Sequence, residues 1–477
     1  VVIGAGTAGL LAALELRRNG WDDLTVYEKA DRIGGTWRDN TYPGVACDVP
    51  AQLYSYSFAP NPDWSHVFAP GCEIESYLEQ IVLRYDLAPL LELGVEVTEL
   101  VHDGSCWQVS LADGRTDRAD LVVAATGVLH HPKVPDIPGL STFAGPWFHS
   151  ARWDHRVDLD GARVGVVGTG SSGVQIVTAL AERVAELHVF QRTAQWILPV
   201  PNPPVDEAER ARLRQDPEAM RAVRQELSKT FTERFANAVV DAESEQAAFL
   251  EELCRANLET QVADPVLREK LRPSYRAACK RLVMSAGFYT AIQQPTCRLV
   301  TEAIVGVEPA GVRTADGTLH RCDVLVLATG FRTDQFLRPV KVIGPTGAVL
   351  DDVWDPVPVA YLSLSVPGFP NLFLLNGPNG PVGNFSLIEV AELQVAYLLQ
   401  LLEAADPGRC LVAARQDATD RYEAARVEAT KRTVWVTGCR SWYLDARGVP
   451  AAWPWTFDRF REVMAAPRLE DYEVVGR

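Results

Sequence analysis

An α/β architecture laid down twice in one chain is the fold this sequence predicts, and three observations predict it. Two segments repeat one plan of strand, glycine-rich turn, helix and strand. The residue that closes the plan falls at the same offset in both. Two later apolar strands each end in Ala-Thr-Gly.

In the first segment, residues 1–3 lead into Gly4-Ala5-Gly6-Thr7-Ala8-Gly9, then a helical run over 10–18 and a strand over 24–27 ending at Glu28. In the second, residues 164–167 lead into Gly168-Thr169-Gly170-Ser171-Ser172-Gly173, then a helical run and a strand over 187–190 ending at Gln191-Arg192. Glu28 follows Gly9 by the same 19 residues by which Arg192 follows Gly173. Turns of this kind bring backbone N–H groups up to a pyrophosphate at a helix N-terminus. One such pattern alone can be an ordinary turn; two, each with its strands and helix in place, argue for two Rossmann-like dinucleotide sites.

The apolar runs over 121–127 and 324–330 read as buried strands that turn at a glycine, the second as the chain returns to its first domain. The expected division is a discontinuous first domain, 1–145 and 327–477, and a second domain, 146–326. Within the latter, a helical insertion is expected over about 202–275. Met220, Val223, Leu227, Phe231 and Phe235 recur there at helical spacing, which predicts one buried stripe and a possible cavity wall. A further helix is expected over 387–402, started by the turn Gly383-Asn384-Phe385-Ser386.

At 477 residues the chain has room for two or three domains. Its net charge of −16 argues against nucleic acid or an anionic membrane surface as the main partner. No apolar run reaches the 18 residues that suggest a membrane span. Nine cysteines, dispersed and without a Cys-x-x-Cys pair, predict reduced thiols rather than a disulfide framework or a zinc site. With no signal-peptide pattern at the start, these features predict a cytoplasmic enzyme. No metal cluster, no nucleophile–His–acid arrangement and no protein partner can be read from the sequence.

The two strand ends differ in chemistry. A carboxylate at Glu28 suits the ribose 2′-hydroxyl of FAD or NAD and repels a 2′-phosphate. Gln191-Arg192-Thr193 offers a cation and a hydroxyl that suit that phosphate. FAD in the first unit and NADPH in the second is the assignment that follows. A solvated strand-end arginine is the plain alternative for Arg192.

Immediately before the second glycine turn stands Phe143-Ala144-Gly145-Pro146-Trp147-Phe148-His149-Ser150-Ala151-Arg152-Trp153-Asp154. It resembles the F-x-G-x-x-x-H-x-x-x-W-[P/D] fingerprint of the type I Baeyer–Villiger monooxygenases, a family of class B flavoprotein monooxygenases, complete at every fixed position. The resemblance extends to Gly34-Gly35-Thr36-Trp37, Asn40, Tyr42-Pro43-Gly44 and Asp48, to Val189-Phe190-Gln191-Arg192-Thr193, to Cys279-Lys280-Arg281, and to Ser441-Trp442-Tyr443. The stretch from Asn376 to Ser386 is more similar to the branch acting on aryl and polycyclic ketones.

The resemblance implies conversion of ketones to esters or lactones by O2, through a flavin C4a-peroxide. It implies Arg281 as the cation beside the reacting oxygens, with Asp48 as its partner. It places Lys280 with Arg192 and Thr193 on the 2′-phosphate, and Trp442 near nicotinamide and substrate. Gly35, Thr36, Trp37 and Asp48 join Gly4, Gly6, Gly9 and Glu28 around FAD; Gly168, Gly170, Ser171, Ser172 and Gly173 cradle NADPH. The rivals are a flavin N- or S-monooxygenase on the same scaffold, a pyridine-nucleotide disulfide reductase, and a non-catalytic flavin-binding sensor.

Overall fold

A computed structural model describes residues 1–383, 385–405 and 408–476; Asn384, in the turn expected before the 387–402 helix, lies outside the described residues. Two five-stranded parallel sheets organise the molecule. In the first, Val2–Ile3 lies between Val26–Glu28 and Val122–Ala124, with Leu91–Leu93 and Leu372–Leu374 outermost. In the second, Arg163–Val167 lies between Glu186–Phe190 and Val324–Leu327, flanked by Cys297–Val300 and Trp147–His149. Strands buried on both faces need no polar alternation, and Val122–Ala124 and Val324–Leu327 are buried throughout.

The strand Val324–Leu327 therefore belongs to the second sheet. The return to the first unit follows it. Its register explains why: Leu325 and Val326 pair with Gly165 and Val166, filling the sheet beside the glycine turn. The crossing segments are joined to each other. Lys133 donates its backbone N–H to the Gly330 carbonyl at 2.8 Å, and Arg332 donates to the His131 carbonyl at 2.9 Å.

Each parallel sheet carries an antiparallel meander that enters just before its last Ala-Thr-Gly strand. One comprises Val97–His102, Trp107–Leu111 and Thr116–Ala119, with Lys341–Ile343 at its edge; the other comprises Ile304–Glu308, Gly311–Thr314 and Leu319–Arg321. The duplication thus runs past the glycine turns into Ala112-Asp113-Gly114 and Ala315-Asp316-Gly317, which occupy equivalent hairpin tips.

The insertion is helical as expected: Glu207–Gln215, Pro217–Phe231, Glu245–Gln261 and Pro265–Lys270, each begun by an Asp or Ser side chain capping the first turn. Met220 is buried, and Val223, Leu227, Phe231 and Phe235 are half-buried. Polar residues between them dock the insertion on the first unit. Arg224 donates from Nη1 to the Ser55 carbonyl at 2.7 Å, and Ser228 donates to Glu389 Oε1 at 3.0 Å. Glu389 lies on Leu387–Ala405, the helix expected over 387–402. Among the described residues, no helix is long and apolar enough to cross a membrane.

Candidate active site

Both glycine turns open onto an uncapped helix, Thr7–Arg18 in one unit and Ser171–Leu180 in the other. Gly4 and Gly168 turn the chain at φ of +101° and +110°. A Cβ on Gly9 would lie 1.8 Å from the Gly4 carbonyl oxygen, and one on Gly173 would lie 2.2 Å from that of Gly168. These third glycines let the helix start against the strand.

The middle glycines answer to something else. Gly6 and Gly170 have ordinary negative φ. A Cβ on Gly170 would meet nothing within 4 Å, and one on Gly6 would meet only the Gly35 Cα at 3.7 Å. Neither backbone strain nor packing within the protein requires glycine there. The space left open at each helix N-terminus fits a pyrophosphate approaching the backbone N–H groups.

Around the first turn, Gly34 donates its N–H to the Ala5 carbonyl at 3.0 Å and leads through Gly35 into the short helix Thr36–Asp39. The Trp37 indole donates to the Tyr54 hydroxyl at 3.3 Å. Glu28 is buried, and its carboxylate accepts from the backbone N–H groups of Ala5 at 2.9 Å and Ala30 at 3.0 Å. It also pairs with buried Arg38 at 3.0 Å. Three donors leave this carboxylate acceptor capacity for a ribose hydroxyl.

The second strand end is built in the opposite sense. The Gln191 amide donates to the Lys270 carbonyl at 2.7 Å, and the Thr169 hydroxyl donates to the Thr193 carbonyl at 3.2 Å. Burial and then the neighbouring Arg192 charge lower the Lys280 pKa. Lys280 Nζ lies 4.9 Å from the Tyr275 ring centre. Among the described residues, no carboxylate pairs with either Arg192 or Lys280. Two adjacent cations without a counter-ion fit a phosphate.

Between the units, Arg281 meets Asp48. Its Nε and Nη2 both donate to Asp48 Oδ2, at 3.2 and 2.5 Å, with the side chains 24% and 26% exposed. Burial works against the Arg281 charge, but Asp48 and then Tyr443 outweigh it, so the guanidinium is held more firmly protonated than usual. Asp48 is carried there by the loop after Tyr42-Pro43-Gly44, which docks on the second unit's nucleotide helix. Tyr42 donates its hydroxyl to Gln175 Oε1 at 2.8 Å, and Gln175 donates its amide to the Ala46 carbonyl at 3.0 Å. A Cβ on Gly44 would stand 2.9 Å from the Gln175 carbonyl oxygen, so Gly44 permits that approach.

The aromatic loop closes the far side. Trp442 is exposed and stacks on buried Tyr443 at 4.1 Å between ring centres. The Tyr443 hydroxyl donates to the Gly383 carbonyl at 3.4 Å, and its pKa is pushed up to about 12 by burial despite the pull of Arg281. Gly383 has φ of +97°, and a Cβ there would lie 2.4 Å from that hydroxyl. The fingerprint residues serve the crossing. His149 Nε2 lies 3.0 Å from the Gly330 carbonyl, and Phe148 and Trp153 meet edge to face. A Cβ on Gly145 would stand 2.1 Å from the Asp323 carbonyl oxygen.

One expectation is overturned. Cys279 and Cys439 form a disulfide across 160 residues of sequence, leaving the other seven cysteines free. Spacing in sequence gives no sign of it, because the pair is made by tertiary placement of two distant segments. Gln175, Tyr443 and the cysteine pair are functional candidates that sequence reasoning missed. The duplicated hairpins would have fixed the unit boundaries, but no comparable signal marks Gln175.

Fold and site together define a flavoprotein oxidoreductase with one dinucleotide loop per unit. Residues 1–248 match the model of the pyridine nucleotide-disulphide oxidoreductase family. An uncharacterized monooxygenase of Mycobacterium tuberculosis is 44% identical over 474 residues, covering 99% of this chain and 95% of the relative. A Baeyer–Villiger monooxygenase of Streptomyces coelicolor is 41% identical over 480 residues, covering 99% and 92%. The crystal structure of cyclohexanone monooxygenase from Rhodococcus sp. Phi1 bound to NADP+ superposes with a TM-score of 0.89 at 30% identity, covering 100% and 98%. The chain belongs to the type I Baeyer–Villiger monooxygenases and is an FAD- and NADPH-dependent flavin monooxygenase.

Proposed function

We propose that the ion pair between Arg281 and Asp48 is the catalytic centre of a ketone-oxidising cytoplasmic enzyme, and the observation that carries it is their meeting between two nucleotide cradles. The domain division that goes with this reading is 1–145 with 327–477 around FAD, and 146–326 around NADPH. Gly4, Gly6, Gly9, Glu28, Gly35, Thr36 and Trp37 hold FAD. Gly168, Gly170, Ser171, Ser172, Gly173, Arg192, Thr193 and Lys280 hold NADPH, and Trp442 covers the space between them.

When bound, FAD activates O2 with electrons drawn from NADPH. The chain's own part is charge, placement and exclusion of water. Arg281 donates to Asp48 through only one edge of its guanidinium, leaving further N–H groups for an oxyanion. A unit charge pair at about 4 Å contributes roughly 4 kcal/mol at an effective dielectric near 20. Arg281 thereby stabilises negative charge as the ketone carbonyl is attacked, and Asp48 keeps the guanidinium in place. The substrate class supported by the Asn376–Ser386 resemblance is aryl or polycyclic ketones. A steroid monooxygenase bound to NADP, at 29% identity and a TM-score of 0.89, supports the same reading.

The holoenzyme given NADPH, O2 and cyclic, aryl and steroid ketones is expected to form esters or lactones, identified by mass. Oxidation of amines or sulfides without any ester would favour the N- or S-monooxygenase, and NADPH that never bleaches the flavin would favour the sensor. Arg281→Ala should keep its FAD and consume NADPH, yet release hydrogen peroxide in place of ester, with ester per NADPH down by about three orders of magnitude. Asp48→Ala should fall the same way, and the double variant should be scarcely worse than either, because residues acting as a unit are not additive. Fully additive losses would mean that Asp48 only shapes its loop.

A further inference from the structure

The disulfide lies where the second unit meets the aromatic loop. Cys279 immediately precedes Lys280 and Arg281, and Cys439 stands three residues before Trp442 and four before Tyr443. Gly438 and Arg440 are exposed, so buried Cys439 is the inward anchor of an otherwise outward segment. Ala278, on the other side of the bridge, has φ of +64° and packs in one cluster with Val239, Val434, Trp435 and Tyr443. Tyr443 in turn reaches the Gly383 carbonyl. The covalent link thus joins the segment bearing the two functional cations to the loop bearing the two stacked rings.

We propose that the Cys279–Cys439 disulfide is a positioning element of the active site, holding Trp442 and Tyr443 against the Lys280–Arg281 segment so that oxygenation stays coupled to NADPH consumption. The proposal rests on the reading of Arg281 given above. With the bridge intact, the loop cannot lift away without moving the arginine's own segment. Opening it takes a dithiol: one thiolate attacks a bridge sulfur and releases the other cysteine, and the second thiol resolves the mixed disulfide. The dithiol becomes a disulfide, while Cys279 and Cys439 take up two electrons and two protons. Both sulfurs are buried, so attack waits on movement of the loop, and a bound nicotinamide nucleotide that orders the loop should slow it.

Denatured holoenzyme prepared without reductant should show seven reactive thiols, and nine after reduction; nine at the outset would overturn the proposal. Cys439→Ser, and wild type treated with dithiothreitol, should both keep FAD. Each should release hydrogen peroxide at the expense of ester, with the peroxide-to-ester ratio raised about tenfold or more, the scale on which small displacements of positioned groups act. Reoxidation should restore coupling in wild type and change nothing in Cys439→Ser. If the variant does not fold, the dithiothreitol arm alone decides, and normal coupling in reduced wild type would overturn the proposal. If Arg281→Ala loses ester while reduced wild type couples normally, only the staple fails. If Arg281→Ala still makes ester, the reading of the site fails.

Discussion

The two glycine turns share one backbone plan and end in opposite electrostatics. Glu28 is buried and already held by Ala5, Ala30 and Arg38. Among the described residues Arg192 and Lys280 stand together without a carboxylate, and burial and then the Arg192 charge lower the Lys280 pKa. In the first unit the protein has satisfied its own polar group before any ligand arrives. In the second it presents two cations to an anion. The plan of the turn therefore sets where a pyrophosphate sits, while the strand end sets which nucleotide binds. It also fits a resident cofactor in the first place and an exchanging one in the second.

The middle glycines give the strongest test of that comparison. Alanine is compatible with the backbone at both Gly6 and Gly170, and its Cβ finds no close protein neighbour at either. Gly6→Ala should purify folded but colourless, with loss of nearly all FAD. Gly170→Ala should stay yellow and unfold at the wild-type temperature, while KM for NADPH rises by about tenfold or more, one misfitted contact being enough for that. Flavin absorbance per chain, circular dichroism and steady-state kinetics make the comparison. Full FAD in Gly6→Ala would show that this cradle does not depend on open space above the helix.

The strand ends give the next largest effect. Charge-assisted bonds to the 2′-phosphate contribute roughly 1.5–3 kcal/mol each, so wild type should prefer NADPH over NADH in kcat/KM by about two orders of magnitude. Arg192→Ala should remove about tenfold or more of that preference, almost entirely by weakening NADPH. A variant that lost NADPH and NADH equally would make Arg192 a structural residue of the turn.

What the sequence made legible follows the same division. Glycines, strand-end residues and fingerprint are local patterns, and the structure places Gly4, Gly9, Gly168 and Gly173 where the turns need them. The pairing of Asp48 with Arg281 was expected only through resemblance, since 233 residues separate them. The Cys279–Cys439 bridge was missed because no spacing rule reaches across 160 residues. Tyr443 could not be told from a core aromatic, because its meaning comes from Arg281 and Gly383, which belong to other segments. The strand Val324–Leu327 ends at the expected boundary after residue 326, and because its apolar run suits either sheet, its register with Arg163–Val167 is what assigns it to the second.

Lys280 offers the finest test, because its effect is read as a slope with pH rather than as an outright loss. Burial, then the Arg192 charge, lowers its pKa from the ordinary lysine value of 10.5. Below that lowered pKa it is a cation and contributes to holding the 2′-phosphate; as pH rises through it, the charge and the bond are lost. NADH has no 2′-phosphate and should not respond. The NADPH-to-NADH preference in kcat/KM should therefore fall as pH rises through that lowered pKa, before the pH at which an unperturbed lysine would lose its proton. Bound phosphate favours the charged form, so the fall in kcat with NADPH should come at higher pH than the fall in kcat/KM, which reports the free enzyme. Lys280→Arg keeps its charge across the range and should flatten the profile, whatever its absolute preference. The same slope in wild type and Lys280→Arg would assign the pH dependence to another group. A flat wild-type profile would mean that Arg192 carries the discrimination alone.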